Sequence, residues 1–126
     1  MERLTRAEEQ VMQALWKVGQ GFVKDIMEAL PRPKRGTAPP AYTTISTIVR
    51  ILEQKGFVGH EVFGRSHRYH PLVSREQYRE RTLTQVVRDY FGGSAGSLVS
   101  HFVEREDLSA DELDGLLKLI EQRKQR

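Results

Sequence analysis

Hydroxyl-bearing and basic side chains gather between Thr43 and Arg68, where they follow two different spacings. One group recurs at helical spacing and comprises Thr43, Thr44, Ser46, Thr47 and Arg50. The other group is consecutive and comprises Arg65, Ser66, His67 and Arg68. Arginine can pair bidentately with guanine, threonine can offer its methyl to thymine or its hydroxyl to a phosphate, and basic side chains neutralise the backbone. These residue types predict contacts with double-stranded DNA.

Two predicted elements position these groups. Ile45, Ile48, Val49 and Leu52 follow the i, i+3, i+4, i+7 pattern of a helix packed on a core, and the hydroxyl group falls on its opposite side. Gly56 is predicted to end this helix at the C′ position. The order of a helix and then a basic hairpin is the outline of a winged helix, in which the helix reads the major groove and the wing meets the backbone.

The hairpin itself is predicted from alternation and turn residues. Val58, His60 and Val62 alternate with Gly59, Glu61 and Phe63 as in a half-buried strand. Gly64-Arg65-Ser66 is expected to turn the chain, so that residues 67–70 form the second strand. In antiparallel pairing about the Gly64-Arg65 turn, His60 and His70 are expected to be near cross-strand neighbours. His67 and Glu61 lie close by, but the H-E-x-x-H spacing of a zinc site is missing, so we expect hydrogen-bonded or solvated histidines and no metal.

Two further helices precede the reading helix. Thr5-x-x-Glu8 is a capping box that starts the first, and the second is expected over residues 23–30. The proline-rich segment PRPKRGTAPP (residues 31–40) is too long for a tight turn between helices and is interpreted as an insertion. Its Lys34 and Arg35 either add electrostatic contacts with DNA or touch nothing.

The second half of the chain is predicted to be all helix. Capping boxes at Ser74-x-x-Gln77 and Ser109-x-x-Glu112 start two helices, and another is expected over residues 95–104. Three one-sided apolar stripes enclose little core, so two copies are expected to associate as a homodimer. The alternative is a monomer in which these helices fold back on the winged helix. The expected interface residues are Leu98, Phe102, Leu113, Leu116, Leu117 and Ile120.

The fold class is therefore mainly α: a winged helix-turn-helix of three helices and a β-ribbon wing, followed by a helical dimerisation region. The expected boundaries are residues 1–73 for the DNA-binding domain and 74–126 for the dimerisation domain. The net charge is +3, but residues 31–74 hold seven Lys or Arg against two acids, a local +5. Concentrated basic charge is the footprint of a polyanion binder.

Composition also excludes several classes of function. The chain has no cysteine, which removes disulfides, thiolate metal sites and cysteine nucleophiles. No apolar run has the length of a membrane span and the charged N-terminus is no signal peptide, so a cytoplasmic protein without membrane insertion is expected. No phosphate loop, nucleophile elbow or apolar carboxylate pair is visible, so neither an enzyme nor a cofactor is expected.

Four segments resemble the BlaI/MecI/CopY family of transcriptional repressors. They are LTRAEEQVMQALW (residues 4–16), AYTTISTIVRILEQKGFVGHE (41–61), GRSHRYHPLVS (64–74) and SLVSHFVEREDLSADELDGLLKLI (97–120). The resemblance covers nearly the whole chain except the insertion at 31–40. It implies a winged helix, a helical dimerisation region and palindromic operators with TACA/TGTA-type half-sites.

The same resemblance implies a switch. A membrane-bound sensor with a zinc metalloprotease domain cleaves such repressors within the dimerisation helices, at an Asn-Phe bond in well-known members. The matching position here is His101-Phe102, where histidine replaces asparagine. The copper-responsive branch carries a cysteine-rich hook, and the absence of cysteine excludes copper sensing by that route.

Two other functions remain open from the residues alone. One is a ligand-sensing winged-helix regulator of the MarR or PadR kind, which needs an enclosed apolar cavity that these narrow stripes leave little room for. The other is a protein-interaction module that uses the winged helix as a scaffold. The basic, hydroxyl-rich surface argues against the second.

Overall fold

The computed structural model describes residues 3–125 and divides into two compact units, one ending at Arg79 and the other beginning at Glu80. The first unit contains α1 (Arg6–Val18), α2 (Val23–Ala29), α3 (Tyr42–Gln54), β1 (Val58–Phe63) and β2 (Ser66–Pro71). The later helices are α4 (Arg75–Tyr90), which starts before that division, α5 (Ala95–Glu104) and α6 (Ala110–Lys124). Three helices followed by a two-stranded antiparallel sheet confirm the predicted mainly α winged helix.

The core of the first unit lies among its three helices and the base of the hairpin. Its buried side chains are Leu4, Val11, Met12, Ala14, Leu15, Val23, Ile26, Ile45, Val49, Leu52, Phe57, Val58 and Tyr69. The predicted stripe of α3 is confirmed for Ile45, Val49 and Leu52, while Ile48 is only partly buried at the edge of the cluster. This burial fixes the rotation of α3 about its axis and leaves its hydroxyl-rich side outside.

The end of α3 determines where the hairpin starts. Gly56 adopts φ +84°, and its N–H donates to the carbonyl of Glu53 at 3.0 Å. The N–H of Phe57 donates to the carbonyl of Leu52 at 2.9 Å, which completes a Schellman motif. Leu52 and Phe57 are both fully buried, as that motif favours. The predicted C′ glycine is thus confirmed, and Phe57 anchors the first residue after the helix in the core.

The hairpin register differs from the expected one by one residue. The turn contains only Gly64 and Arg65 as its two central residues. Gly64 has the positive φ (+61°) that the first central residue of a type II′ turn requires. Ser66 therefore belongs to β2, and His60 pairs with Tyr69 while Gly59 pairs with His70. His60 and His70 are therefore offset by one register position and are not directly paired, so their side chains lie on opposite faces of the hairpin.

The alternating burial expected for β1 is also wrong beyond its base. Val58 is buried, but Val62 is 64% exposed because the outer half of the hairpin projects beyond the core. A backbone bridge secures the inner half: Gly21 and Tyr69 exchange N–H···O bonds of 2.9 and 2.7 Å. The hairpin is thus anchored at its base and solvated at its tip.

The three predicted capping boxes are confirmed. In each pair the backbone N–H groups of the two partners donate to each other's side chains: Thr5 with Glu8, Ser74 with Gln77, and Ser109 with Glu112. The first one is also tied to α3, because the buried Glu8 accepts from Lys55 Nζ at 2.9 Å. This ion pair joins the start of α1 to the end of α3.

The second unit contains no buried residue in α5 or α6. Large apolar side chains are exposed on all its helices: Leu83, Tyr90, Val99, Phe102, Val103, Leu116, Leu117, Leu119 and Ile120. Ser94 caps α5 by accepting from the Ser97 N–H at 3.1 Å. Within residues 3–125, no helix combines the length and apolar composition that crossing a bilayer requires.

Glu8 should make stability depend on acidity in a recognisable way. Burial raises its pKa, but hydrogen bonds from Thr5 and Lys55 outweigh burial and lower that pKa below the ordinary glutamate value. The stabilisation is therefore fully present above the ordinary pKa and is lost as pH falls through the lower folded-state pKa. Glu8→Gln should reduce the free energy of unfolding at neutral pH by about 1–3 kcal/mol.

Urea unfolding at neutral and acid pH measures this effect. The deficit of Glu8→Gln relative to the wild type should shrink as the pH falls, whereas the exposed control Glu28→Gln should match the wild type throughout. A deficit that stays constant with pH would contradict the role given to the Glu8 carboxylate.

Candidate nucleic-acid interface

The outward side of α3 presents the first group of predicted DNA-binding residues. Thr43, Thr44, Thr47 and Arg50 are exposed, and Ser46 is half-buried. Because Ile45, Val49 and Leu52 face the core, these polar side chains share the outer side of one 13-residue helix. That shared side is the geometry a helix needs to enter a groove.

Local hydrogen bonds orient two of these side chains. The Thr47 hydroxyl donates to the Thr43 carbonyl at 2.9 Å, which leaves its oxygen able to accept a hydrogen bond. Arg50 uses only Nε in a 3.4 Å bond to the Ser46 carbonyl, so its terminal nitrogens have no partner in residues 3–125. Ala41 provides no side-chain cap for α3, so the N–H groups of the first turn are available to an anion.

The hairpin presents the second group unevenly. Arg65, Ser66 and His67 are exposed at and beside the turn, whereas Arg68 is half-buried. The Arg68 guanidinium lies 4.5 Å from the centre of the Phe63 ring and donates to Glu61 at 3.4 Å. Its Nε is shielded from solvent and has no partner within residues 3–125. Arg68 thus stiffens the hairpin, and Arg65 is the more available base.

A groove of about 560 Å³ brings the two groups together. Ser46 and Arg50 line it from α3, and Arg65, Ser66 and His67 line it from the hairpin. Thr43, Thr44 and Thr47 lie outside this lining on the exposed side of α3, and Arg68 lies outside it on the hairpin. We call this space the wing groove; it gives one basic, hydroxyl-rich concavity to two elements that are distant in sequence.

Sequence reasoning missed several lining residues, and two of them could contact DNA directly. Tyr42, the first residue of α3, is 58% exposed, and Lys24 contributes from α2. The neighbouring Asp25 also lines the groove, but its carboxylate accepts from the Phe22 N–H at 2.9 Å. An exposed aromatic at the start of a polar-faced helix is a signal that could have identified Tyr42. Lys24 carries no such signal, because only folding brings α2 to the groove.

Tyr69 forms part of the groove and stays uncharged. Its burial raises the pKa of the phenol, and the Glu53 carboxylate raises it further, with partial opposition from Arg50. The phenol therefore remains protonated at physiological pH. The groove consequently gains no negative charge from its largest buried residue.

A chain of contacts fixes the hairpin relative to α3. His60 Nδ1 lies 2.6 Å from Glu53 Oε2, and since a carboxylate only accepts, the histidine donates. The His60 ring stacks on His67 with centroids 4.2 Å apart and planes 9° apart. The expectation of a hydrogen-bonded hairpin histidine is confirmed for His60. In residues 3–125, no three His, Cys, Asp or Glu side chains lie close enough to hold a metal ion.

An aromatic contact supports the outer part of the hairpin. Phe63 meets Phe22, the residue before α2, edge to face at 6.0 Å. Together with the base bridge and the His60–Glu53 bond, it holds the exposed tip beside α2 and α3. The three helices, the anchored wing and the polar groove define a winged-helix DNA-binding protein.

The comparison with known families is specific. The chain belongs to the penicillinase repressor family, whose model matches residues 4–122. It is therefore a transcriptional repressor by family, and this family is not one of enzymes.

Two sequence relatives agree with this assignment. The chain is 29% identical over 117 residues to the methicillin resistance regulatory protein MecI of Mammaliicoccus sciuri, covering 93% of this chain and 92% of that protein. It is 31% identical over 125 residues to the transcriptional regulator BlaI of Mycobacterium tuberculosis (strain CDC 1551 / Oshkosh), covering 95% and 86%. A solution structure of the DNA-binding domain of the repressor BlaI is 26% identical, with a TM-score of 0.49 over 62% of this chain and 94% of that domain.

Arg50 and Arg65 should affect DNA binding in different ways. Arg50→Ala is expected to weaken binding to a specific operator by about 1–3 kcal/mol and to leave binding to random DNA nearly unchanged. Arg65→Ala should weaken both alike and lower the slope of log affinity against log salt by about 0.9. Fluorescence anisotropy over a range of salt concentrations measures both. Equal losses for Arg50→Ala on the two DNAs would show that Arg50 does not read a base.

Proposed function

We propose that the protein represses transcription in the cytoplasm by binding palindromic operator DNA as a homodimer. Residues of α3 read base edges in the major groove, while the hairpin holds the phosphate backbone beside it. The first unit supplies these contacts and the helices after Ser74 supply dimerisation. No cofactor takes part.

The observation that carries this proposal is the wing groove. Arg50 and Ser46 of α3 face the same concavity as Arg65, Ser66 and His67 of the hairpin. A surface that combines a base-reading arginine with phosphate-binding groups supports a single docking event on a duplex. Thr43, Thr44 and Thr47 extend it along α3, where their methyl and hydroxyl groups suit a half-site rich in A·T pairs.

Exposed apolar surface supports the dimer. Phe102, Leu116, Leu117 and Ile120 are exposed, and Leu98 and Leu113 are only half-buried. A cluster of large exposed apolar side chains of this kind typically marks an interaction site. A second copy offers a matching stripe, and two-fold symmetry would set two reading helices against the two halves of an inverted repeat.

Substitutions that disrupt this surface should lower the affinity for operator DNA, although the DNA-contacting residues of α3 are unchanged. Leu117→Glu combined with Ile120→Glu is expected to give a monomer, since charges on the stripe cannot be buried without partners. Linkage of two half-sites often contributes 10²–10⁴-fold, so operator binding should fall by that order. Lys118→Glu, on the same helix, should leave the protein a dimer.

Sedimentation at micromolar concentration and a gel shift on the upstream region of the gene that encodes the protein measure these effects. A wild-type protein that sediments as a monomer would rule out the dimer. A dimer that binds its own upstream region no better than random DNA would rule out operator recognition.

We further propose that a membrane-bound sensor protease ends repression by cutting His101–Phe102. This bond lies in the last turn of α5, where both side chains are exposed. The helix is followed by Glu106 at φ 59°, a left-handed conformation that costs a non-glycine residue about 1 kcal/mol. It is preceded by Gly92 and Gly93, both with positive φ. Such flanks favour the local opening that proteolysis of a helix requires.

Two glycine substitutions should change the rate of cleavage in opposite directions. Glu106→Gly relieves the left-handed strain, stabilises the end of α5 and should slow cleavage. Glu104→Gly removes the same charge but weakens the helix by about 1 kcal/mol, so it should accelerate cleavage. Mass spectrometry of the protein from induced cells identifies the cut bond and its rate of appearance. An intact chain that leaves its operator after induction would rule out release by proteolysis.

A further inference from the structure

The segment between α2 and α3 is an exposed basic loop that the wing groove does not use. Residues 31–40 are all exposed, and they contain Arg32, Lys34 and Arg35 with no acid. None of these three side chains has a hydrogen bond or ion pair within residues 3–125. Three unpaired charges on one short loop are thus available to an external polyanion.

The loop has a defined shape at its basic tip. The Thr37 N–H donates to the Lys34 carbonyl at 2.9 Å, and Gly36 adopts φ +85°. A positive φ at the third residue is what a type II turn requires, so Lys34 and Arg35 occupy the first two positions of a β-turn. Prolines at 31, 33, 39 and 40 restrict the backbone on both sides, which lowers the entropy lost when the loop binds.

The position of the loop in the chain associates it with the reading helix. It ends two residues before Tyr42, where α3 begins without a side-chain cap. No acid occurs between Glu28 and Glu53, so the loop and the reading helix form one uninterrupted stretch without negative charge. A duplex that accepts α3 is therefore close, along the chain, to a basic turn.

We propose that this turn is a third DNA-contacting element, which binds backbone phosphates beyond those held by the hairpin. The proposal rests on the proposed DNA-binding function and extends its footprint. Arg32, Lys34 and Arg35 contribute affinity and salt dependence but no base specificity, because phosphate contacts carry no sequence information. Each phosphate contact releases counterions, so its loss is measurable as a smaller salt dependence.

A charge-matched pair of triple variants tests this proposal in the full-length protein. The loop variant combines Arg32→Gln, Lys34→Gln and Arg35→Gln. The control combines Arg3→Gln, Arg6→Gln and Arg79→Gln, which are also exposed. Arg6 lies two residues before Glu8, which binds Lys55 at the far end of α3. Arg79 directly follows Tyr78, whose hydroxyl donates to Glu9, the residue after Glu8. A helix of 13 residues puts the far end of α3 roughly 20 Å from Tyr42.

Binding is measured on two duplexes of equal length, one carrying the inverted repeat from the upstream region and one of random sequence. The loop variant should lose roughly 2–3 units of log-log salt slope per protomer, at about 0.9 per contact, while the control keeps the wild-type slope. At physiological ionic strength the loop variant should bind both duplexes at least about tenfold more weakly, with an unchanged ratio between them. Ethylation of the phosphates that the loop contacts should weaken DNA binding by the wild type but not DNA binding by the loop variant.

Three results would overturn the proposal. They are a wild-type slope in the loop variant, an equal loss of slope in the control, or a changed ratio between the two duplexes. Failure of the proposed function has a different signature, because the wild type would then bind the two duplexes equally. The slopes on the random duplex would still decide whether the loop contacts phosphates.

Discussion

The arrangement of the first unit depends on the burial of Phe57 directly after the glycine that ends α3. Its side chain is fully buried, its N–H closes the Schellman motif with Leu52, and its carbonyl accepts from the Leu72 N–H at 2.8 Å. One residue thus joins the end of the reading helix, the start of β1 and the segment after β2. Since the phenylalanine cannot move without opening a large cavity, the direction in which the hairpin leaves α3 is fixed by packing. The shape of the wing groove depends on this packing, because the groove lies between α3 and the hairpin.

The acids of the same region are all engaged in hydrogen bonds, while several bases are not. The only acids in residues 31–74 are Glu53 and Glu61, and each accepts a hydrogen bond: Glu53 from His60 and Glu61 from Arg68. These pairs also stiffen the hairpin, because one links it to α3 and the other links its two strands. Within residues 3–125, by contrast, the terminal nitrogens of Arg50 and Arg65 have no hydrogen-bond partner. The acids therefore secure the structure, and the unpaired bases determine the charge presented outward.

Local patterns in the sequence predicted the helices well, because helical periodicity and capping boxes involve neighbours a few residues apart. The exposed side of α3 and the glycine at position 56 are of this kind. The hairpin register was wrong by one residue, since the backbone conformation of Gly64 decides between a turn of two residues and one of three. Phe57 and Tyr69 were not recognised as core residues, because one lies at a junction and the other in a short strand. Lys24 was missed because only tertiary structure brings α2 to the groove.

Incomplete burial in the second unit links its stability to association. Helix α5 has ten residues and α6 has fifteen, lengths at which an isolated helix is marginal in water. No residue of either helix is buried, so these helices gain little stability from packing within the described chain. If a second copy covers the apolar stripe, folding of this unit, dimerisation and operator binding are thermodynamically linked, and each stabilises the others. The same linkage would protect the His101–Phe102 bond, because Phe102 is one of the proposed interface residues. Cleavage would then act on the dissociated or locally opened chain, and its rate would fall as operator occupancy rises.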